Sequence, residues 1–173
     1  MIDFALLGVV AIVAGLIFYA TWAVYNAALA IGGGIAARIV SYGLWFIGAP
    51  LAASIIRKPG SAFLGETLGA LIETIIPTVG GFTNLIYGAA QGAASELAYL
   101  IFRYRKYTPL VGALAGALAG FPCVALDILL FSEIAEEAAK NPGVVPLWII
   151  AAVVSGAIYG YIASLAGSKI RRR

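Results

Sequence analysis

Histidine is absent from this 173-residue sequence, cysteine occurs once, and charged residues make up only 11% of the chain. The absence of histidine removes the commonest general base and metal ligand of proteins. The single cysteine, Cys123, cannot form an internal disulfide. We therefore expect no redox chemistry, no metal site and no cofactor. The scarcity of charge also argues against an ordinary soluble domain, in which roughly a quarter of the residues are charged.

The chain also lacks the sequence features of an ATPase or of another enzyme. It contains no G-x-x-x-x-G-K-[ST] phosphate-binding loop, so ATP hydrolysis by that route is not expected. A membrane enzyme with Glu66 and Glu96 as an acid/base pair is an alternative. Without histidine, a metal cluster or a nucleophile constellation, that alternative has little support, and we expect no catalytic residues.

What the chain does have is hydrophobic sequence: 62% of its residues are hydrophobic and the mean hydropathy is +1.00. Crossing a bilayer takes about 20 mostly apolar residues per helix. The sequence therefore predicts an all-α, multi-pass protein of the cell membrane, with residues 1–173 as one membrane domain. The first stretch lacks a preceding basic region and is too long for a signal peptide, so it is interpreted as a permanent helix. The predicted spans are residues 4–30, 38–57, 60–76, 82–104, 108–132 and 145–168.

Basic residues predict the orientation of these six helices. By the positive-inside rule, the side that carries most of the lysine and arginine faces the cytoplasm, and both termini would lie there. Only Arg38 and Lys140 fall on the opposite side. The residues on the predicted cytoplasmic side are Arg57, Lys58, Arg103, Arg105, Lys106, Lys169, Arg171, Arg172 and Arg173.

One predicted outer loop, residues 132–143, is acidic. Ser132 is expected to cap a short helix that ends near Lys140. The loop is interpreted either as a solvated helix end or as a lid that draws cations toward an outer pocket.

Small residues recur at four-residue spacing in several spans, which allows helices to approach closely in lipid. Gly112, Gly116 and Gly120 in the fifth span predict packing inside the bundle. For Ala11 and Gly15 in the first span, a docking surface for a partner protein is a second interpretation.

Four acidic residues lie inside the predicted spans. An ionised group near the bilayer centre costs about 2.5–3.5 kcal/mol, so these side chains are expected to face the bundle interior. Glu66 and Glu96 are interpreted as ties between helices or as partners of Arg57 and Arg103. Glu73 and Asp127 lie nearer the outer side and are expected to face a ligand.

The outer half of the bundle is predicted to hold a binding pocket for a flat, cationic, hydrogen-bonding molecule. Aromatic faces attract cations, and a carboxylate can pair with an aminopyrimidine. By contrast, Trp22, Tyr25 and Trp148 are interpreted as aromatic-belt residues at the membrane interface. The candidate binding residues are Tyr42, Trp45, Glu73, Asn84, Tyr87, Gln91 and Asp127.

Several sequence features between residues 38 and 131 form a recognisable set. They are segments 42–47 (YGLWFI), 56–60 (IRKPG) and 70–73 (ALIE), the pair Ala52-Ala53, Glu66, Gln91-Gly92, Glu96 and Asp127 with the apolar run to Phe131. With these features the chain resembles the YkoE family, substrate-binding S-components of energy-coupling factor (ECF) transporters. The similarity covers most of residues 38–131 and depends mainly on the Arg-Lys-Pro-Gly turn combined with two spaced glutamates.

The resemblance implies a six-helix S-component that captures thiamine or its hydroxymethylpyrimidine (HMP) precursor from outside. Its partners would be a transmembrane coupling protein (T-component), two cytoplasmic ATPase subunits and the lipid bilayer, with no nucleic acid. Ala11 and Gly15 would correspond to the short alanine motif that docks on the coupling protein. The alternatives are a solitary secondary carrier or channel for a small cationic solute, and a purely structural membrane subunit.

Overall fold

The computed structural model describes residues 3–76 and 80–171, and the regular structure in these ranges is helical. The predicted all-α class is thereby confirmed. A five-residue 3₁₀ helix, Tyr42–Phe46, stands between the first two α-helices. The α-helices are α1 (Phe4–Ser41), α2 (Gly48–Ile56), α3 (Ser61–Ile75), α4 (Thr83–Ile101), α5 (Pro109–Leu130), α6 (Ser132–Lys140) and α7 (Val144–Arg171).

Helix α1 contains a sharp break at Gly33, where φ is 74° and ψ is −175°. Glycine adopts this backbone conformation readily because it has no Cβ. Beyond the break the chain runs back along α1, since the indole Nε1 of Trp45 donates to the carbonyl oxygen of Phe18 at 3.2 Å. The predicted second span, 38–57, is therefore not one continuous helix. It consists of the end of α1, the 3₁₀ helix and the buried α2.

Four segments are long and apolar enough to cross a membrane, among the residues that the structure describes. Helices α3 and α4 occupy the predicted third and fourth spans, but they are not among the segments that are long and apolar enough to cross a membrane. Helix α3 has only 15 residues, or about 23 Å at 1.5 Å per residue, against a hydrocarbon core of about 30 Å. Residues 77–79 of the predicted turn that follows lie outside the described residues. The four segments are Phe4–Gly34, Ala36–Ile56, Pro109–Leu130 and Val144–Arg171.

The glycine stripe of α5 packs inside the bundle, as the four-residue spacing predicts. A methyl group on Gly116 would meet the backbone carbonyl of Gly156 in α7, and one on Gly112 would lie 2.7 Å from the carbonyl oxygen of Gly160. The two helices therefore touch backbone to backbone, which only residues without bulky side chains permit.

The small residues of α1 also pack internally. Ala11 is only 3% exposed. A methyl group on Gly15 would lie 2.6 Å from Cβ of Ile72 and 2.8 Å from the carbonyl oxygen of Gly69, both in α3. Ala11 and Gly15 are therefore buried within the bundle, with Gly15 against α3, and their docking on a partner protein stays a prediction.

The three basic segments meet at one end of the bundle. Nη1 of Arg171, near the end of α7, donates to the carbonyl oxygen of Ile55 in α2 at 2.9 Å. The hydroxyl of Ser164 donates to the carbonyl oxygen of Thr108, just before α5, at 3.4 Å. The α2–α3 turn, the α4–α5 loop and the last turns of α7 are thus neighbours. Arg172 and Arg173 lie outside the described residues.

Glu96 ties α4 to the beginning of α3. Its two carboxylate oxygens accept the backbone N–H groups of Gly60 at 2.6 Å and Phe63 at 2.9 Å. These are N–H groups that the first turn of a helix leaves without an intrahelical partner. The predicted helix-tying role is confirmed, and the carboxylate acts as a helix cap from a neighbouring helix.

Glu66 makes a similar contact with α2. It is fully buried, and its Oε2 accepts the backbone N–H of Ala49 at 2.7 Å. Pairing of these glutamates with Arg57 and Arg103 is not found among the ion pairs of the described residues.

Glu96→Ala is expected to lower the free energy of unfolding by about 1–2 kcal/mol, the usual cost of removing a helix cap. Thermal unfolding of the purified protein in detergent should show a decrease in Tm of several degrees. Glu96→Gln keeps one acceptor oxygen, so its Tm should lie between those of Glu96→Ala and the native protein. A Tm equal to that of the native protein for Glu96→Ala would contradict the capping role.

Candidate functional site

A cavity of about 500 Å³ opens in the half of the bundle that contains the α1 break and the start of α6. Its walls come from α1, the 3₁₀ helix, α3, α4, α5 and α6. The structure brings all seven candidate binding residues to this one cavity, although they lie on four different elements. They are Tyr42, Trp45, Glu73, Asn84, Tyr87, Gln91 and Asp127.

One end of the cavity is a cluster of three aromatic rings, which we call the aromatic cage: Trp22, Tyr25 and Trp45. Their ring centroids lie 5.2–6.1 Å apart. Trp22 also donates its indole N–H to Oε1 of Glu73 at 2.7 Å. The interpretation of Trp22 and Tyr25 as aromatic-belt residues is therefore wrong, because the reversal after Gly33 places Trp45 against them.

A signal for these two residues was present in the sequence. Phe18, Trp22, Tyr25 and Leu29 follow one another at spacings of four, three and four, which puts them on one face of α1. All four line the cavity. An aromatic residue of the membrane interface would not need to lie on the same helix face as residues placed deeper in the span.

Glu73 is the carboxylate of the aromatic cage. It is 3% exposed and lies on the α3 face that lines the cavity. Among the described residues, the ion pairs do not include Glu73. Its carboxyl group thus accepts the indole N–H of Trp22, and no lysine or arginine of the described residues pairs with it.

Asp127 also lines the cavity, but in a different environment. The hydroxyl of Tyr42 donates to Oδ2, and the hydroxyl of Tyr87 donates to Oδ1 at 2.7 Å. Nε of Arg38 lies 4.0 Å from Oδ2 and donates to the Tyr42 hydroxyl at 3.1 Å. The two candidate carboxylates therefore differ: Asp127 has an internal cation and Glu73 does not.

Arg38, one of the two basic residues on the predicted outer side, belongs to the wall of the cavity. Its guanidinium carbon lies 4.9 Å from the ring centroid of Trp148, which is only 3% exposed. Trp148 packs with Phe46 and Val124 in the core, so its interpretation as a belt residue is wrong as well.

Helix α4 supplies amide side chains to the cavity wall. Asn84, Tyr87 and Gln91, at spacings of three and four, form the polar stripe that the sequence predicts, and all three line the cavity. Helix α4 lies so close to α3 that a methyl group on Gly88 would meet Ala70. Only a very small residue therefore fits there. This close approach brings the stripe of α4 beside Glu73.

Helix α6 borders the cavity through Glu133 and Ile134. The predicted short helix that ends at Lys140 is confirmed. Its predicted cap is wrong, since Phe131 occupies the N-cap position and no side chain caps the helix there. Whether the helix acts as a lid stays a prediction.

The arrangement is suited to binding a small molecule. The cavity combines aromatic faces, amides, a neutralised acid–arginine pair and the carboxylate of Glu73, which has no cationic partner among the described residues. Within residues 3–76 and 80–171, no group of three or more cysteine, aspartate or glutamate side chains could hold a metal ion. The fold and the site define a membrane protein that binds a small molecule within its helix bundle.

Comparison with known proteins places the chain in a transporter family. The family model described as "ABC-type cobalt transport system, permease component" matches residues 2–122, and the chain belongs to this family. The proposed HMP/thiamine permease protein YkoE of Bacillus subtilis (strain 168) is 31% identical over 129 residues. Those residues are 75% of this chain and 61% of YkoE, so the chain spans less than two thirds of that relative.

A crystal structure of an S-component of an ECF transporter has the same fold. It matches with a TM-score of 0.83 and 28% sequence identity, over 98% of this chain and 82% of that one. The resemblance inferred from the sequence is confirmed. The protein is a transporter component of the S-component type, in the plasma membrane, which it crosses several times.

Proposed function

We propose that this protein is the substrate-binding subunit of an ECF-type importer and captures thiamine, or its precursor HMP, from the outer side of the membrane. The observation that carries the proposal is the aromatic cage with Glu73, a carboxylate without a cationic partner beside three rings. The name of YkoE and the fold of the S-component support the class of substrate and of transporter.

A cationic ligand would complete the charge balance of the cage. Aromatic rings attract a cation with about 2 kcal/mol or more where water is excluded. Thiamine carries a permanent positive charge on its thiazolium ring, and its aminopyrimidine can pair with a carboxylate through charge-assisted hydrogen bonds. The cavity of about 500 Å³ lies within the usual range for small-molecule sites. HMP shares the pyrimidine but is neutral near pH 7, so the uncompensated carboxylate favours thiamine.

The remaining candidate residues would complete the pocket. Asn84 and Gln91 would hydrogen-bond the polar edges of the ligand, with Trp45 stacked on a ring. Tyr42, Tyr87 and Asp127 would form the opposite wall. Their hydroxyl and carboxylate groups already bind one another.

The chain would depend on other subunits for energy, because it has no phosphate-binding loop. We propose a T-component and two cytoplasmic ATPases as partners.

The proposal includes a single membrane domain with six spans, in which α3 and α4 complete the bundle. The basic end and both termini would face the cytoplasm. Co-purification with these subunits would distinguish the importer from a solitary carrier.

Tryptophan fluorescence tests the substrate, because the chain has three tryptophans and two belong to the cage. Thiamine is expected to quench the emission saturably in the detergent-purified protein. Trp22→Phe and Trp45→Phe should each reduce the quenching, whereas Trp148→Phe, outside the cavity lining, should retain it. HMP and Co²⁺, the latter from the family's description, serve as comparison ligands.

Saturable binding of HMP alone would keep the class of protein and change the substrate. Binding of Co²⁺ with no response to either vitamin compound would contradict the proposal. So would a folded protein that binds none of the three.

A further inference from the structure

Arg38 is held by four separate groups of the protein. Its Nε donates to the hydroxyl of Tyr42 at 3.1 Å, and its Nη1 donates to the carbonyl oxygen of Gly34 at 3.4 Å. The guanidinium lies over the ring of Trp148 and 4.0 Å from Asp127. The side chain is only 11% exposed and still belongs to the cavity lining.

Asp127 is the acid that balances this cation. Among the described residues it is the carboxylate within ion-pair distance of Arg38. The other acidic groups of the cavity, Glu73 in α3 and Glu133 in α6, lie on other elements and are not paired with Arg38. Tyr42 and Tyr87 both donate to Asp127, so its oxygens are already engaged.

We propose that Asp127 sets the charge selectivity of the pocket: it neutralises Arg38 and thereby excludes ligands that carry a phosphate group. The part of this proposal that concerns the identity of the vitamin rests on the proposed function. Asp127 is thus a specificity residue that acts through Arg38, whereas Glu73 receives the cationic ligand directly.

The physical basis is the cost of a partly buried charge without a partner. An arginine that loses its counter-ion in a poorly solvated site strongly favours a replacement anion. Its planar guanidinium suits phosphate oxygens, with which it forms paired hydrogen bonds. While Asp127 is present, that anion is supplied by the protein, and an entering phosphate also meets the carboxylate's negative charge.

The test compares Asp127→Asn with the native protein and with a double variant that adds Arg38→Gln. Inorganic phosphate and thiamine monophosphate are the anionic probes, and thiamine is the cationic one. Trp148, beside Arg38, provides the fluorescence signal. Asp127→Asn should bind both anionic probes at least about ten-fold more tightly, a difference of about 1.4 kcal/mol. The double variant should lose this gain. Thiamine binding by Asp127→Asn should weaken several-fold, because the guanidinium that has lost its counter-ion repels the cationic ligand.

Arg38→Gln alone tests the same pair from the other side. It leaves Asp127 without its cation and should strengthen thiamine binding several-fold while phosphate remains unbound. This variant keeps the proposal testable if Asp127→Asn is not monodisperse.

Three results would overturn the proposal. They are equal phosphate binding by native and Asp127→Asn proteins, a large loss of thiamine binding in Asp127→Asn without any gain for phosphate, and an unchanged thiamine affinity in Arg38→Gln. If the native protein binds neither thiamine nor HMP, the proposed function fails. The inorganic phosphate arm still decides the role of Asp127.

Discussion

Glu73→Gln is expected to weaken thiamine binding by about 100-fold, or about 2.8 kcal/mol. The substitution keeps the size of the side chain and an oxygen that can accept the indole N–H of Trp22. It removes the negative charge beside the aromatic cage. Hydrogen bonds to charged groups contribute about 1.5–3 kcal/mol, and the loss of the electrostatic attraction for the thiazolium adds to this.

Isothermal titration calorimetry in detergent measures the effect, with Glu66→Gln as the matched control. Glu66 is also a buried glutamate of α3, two turns earlier, but it does not line the cavity. The control should change the affinity by less than about three-fold. Native-like affinity in Glu73→Gln would make Glu73 a structural residue and remove the main support for a cationic ligand.

The same variant separates the two vitamin compounds. A neutral hydrogen bond contributes only about 1 kcal/mol, so HMP binding should fall by roughly ten-fold or less. A similar loss for both ligands would show that Glu73 recognises only the shared pyrimidine.

The sequence predicted the seven candidate residues because polar groups in a membrane span have few tolerable positions. Lipid does not satisfy their hydrogen bonds, so they must converge on the interior of the bundle. Helical spacing then fixed which of them share a face, as for Asn84, Tyr87 and Gln91. The acidic and amide candidates, Glu73, Asn84, Gln91 and Asp127, all line the same cavity for this reason.

Aromatic residues do not carry the same constraint. Trp22, Tyr25 and Trp148 are favourable at a membrane interface and also within a pocket or core. Their positions depend on the reversal of the chain at Gly33, a tertiary feature that the apolar pattern does not encode. The pairing of Arg38 with Asp127 depends on the same reversal, since 89 positions separate the two residues.

Small-residue stripes are ambiguous in a related way. The spacing of Ala11 with Gly15 and that of the α5 glycines both permit close helix contact. Neither spacing identifies which helix makes the close contact. In both cases the partner is within the chain: α3 for the first stripe and α7 for the second.

Gly116→Ala is expected to destabilise the protein by about 3 kcal/mol, the upper part of the usual range for overpacking. The added methyl group would meet the carbonyl of Gly156, and backbone atoms cannot move aside as a flexible side chain could. Helices α5 and α7 would have to separate along their whole contact. Thermal unfolding should show a Tm lower by about 6–12 °C, at 2–4 °C per kcal/mol for a chain of this size.

Gly8→Ala is the matched control for this substitution. Gly8 lies within helix α1, and a methyl group there would have no atom within 4 Å apart from the adjacent backbone of the same helix. Since alanine favours helix more than glycine by about 1 kcal/mol, this variant should be as stable as the native protein or slightly more so. A similar loss in both variants would mean that glycine is needed for some reason other than the α5–α7 contact. Stability unchanged in Gly116→Ala would mean that the two backbones are farther apart than the structure places them.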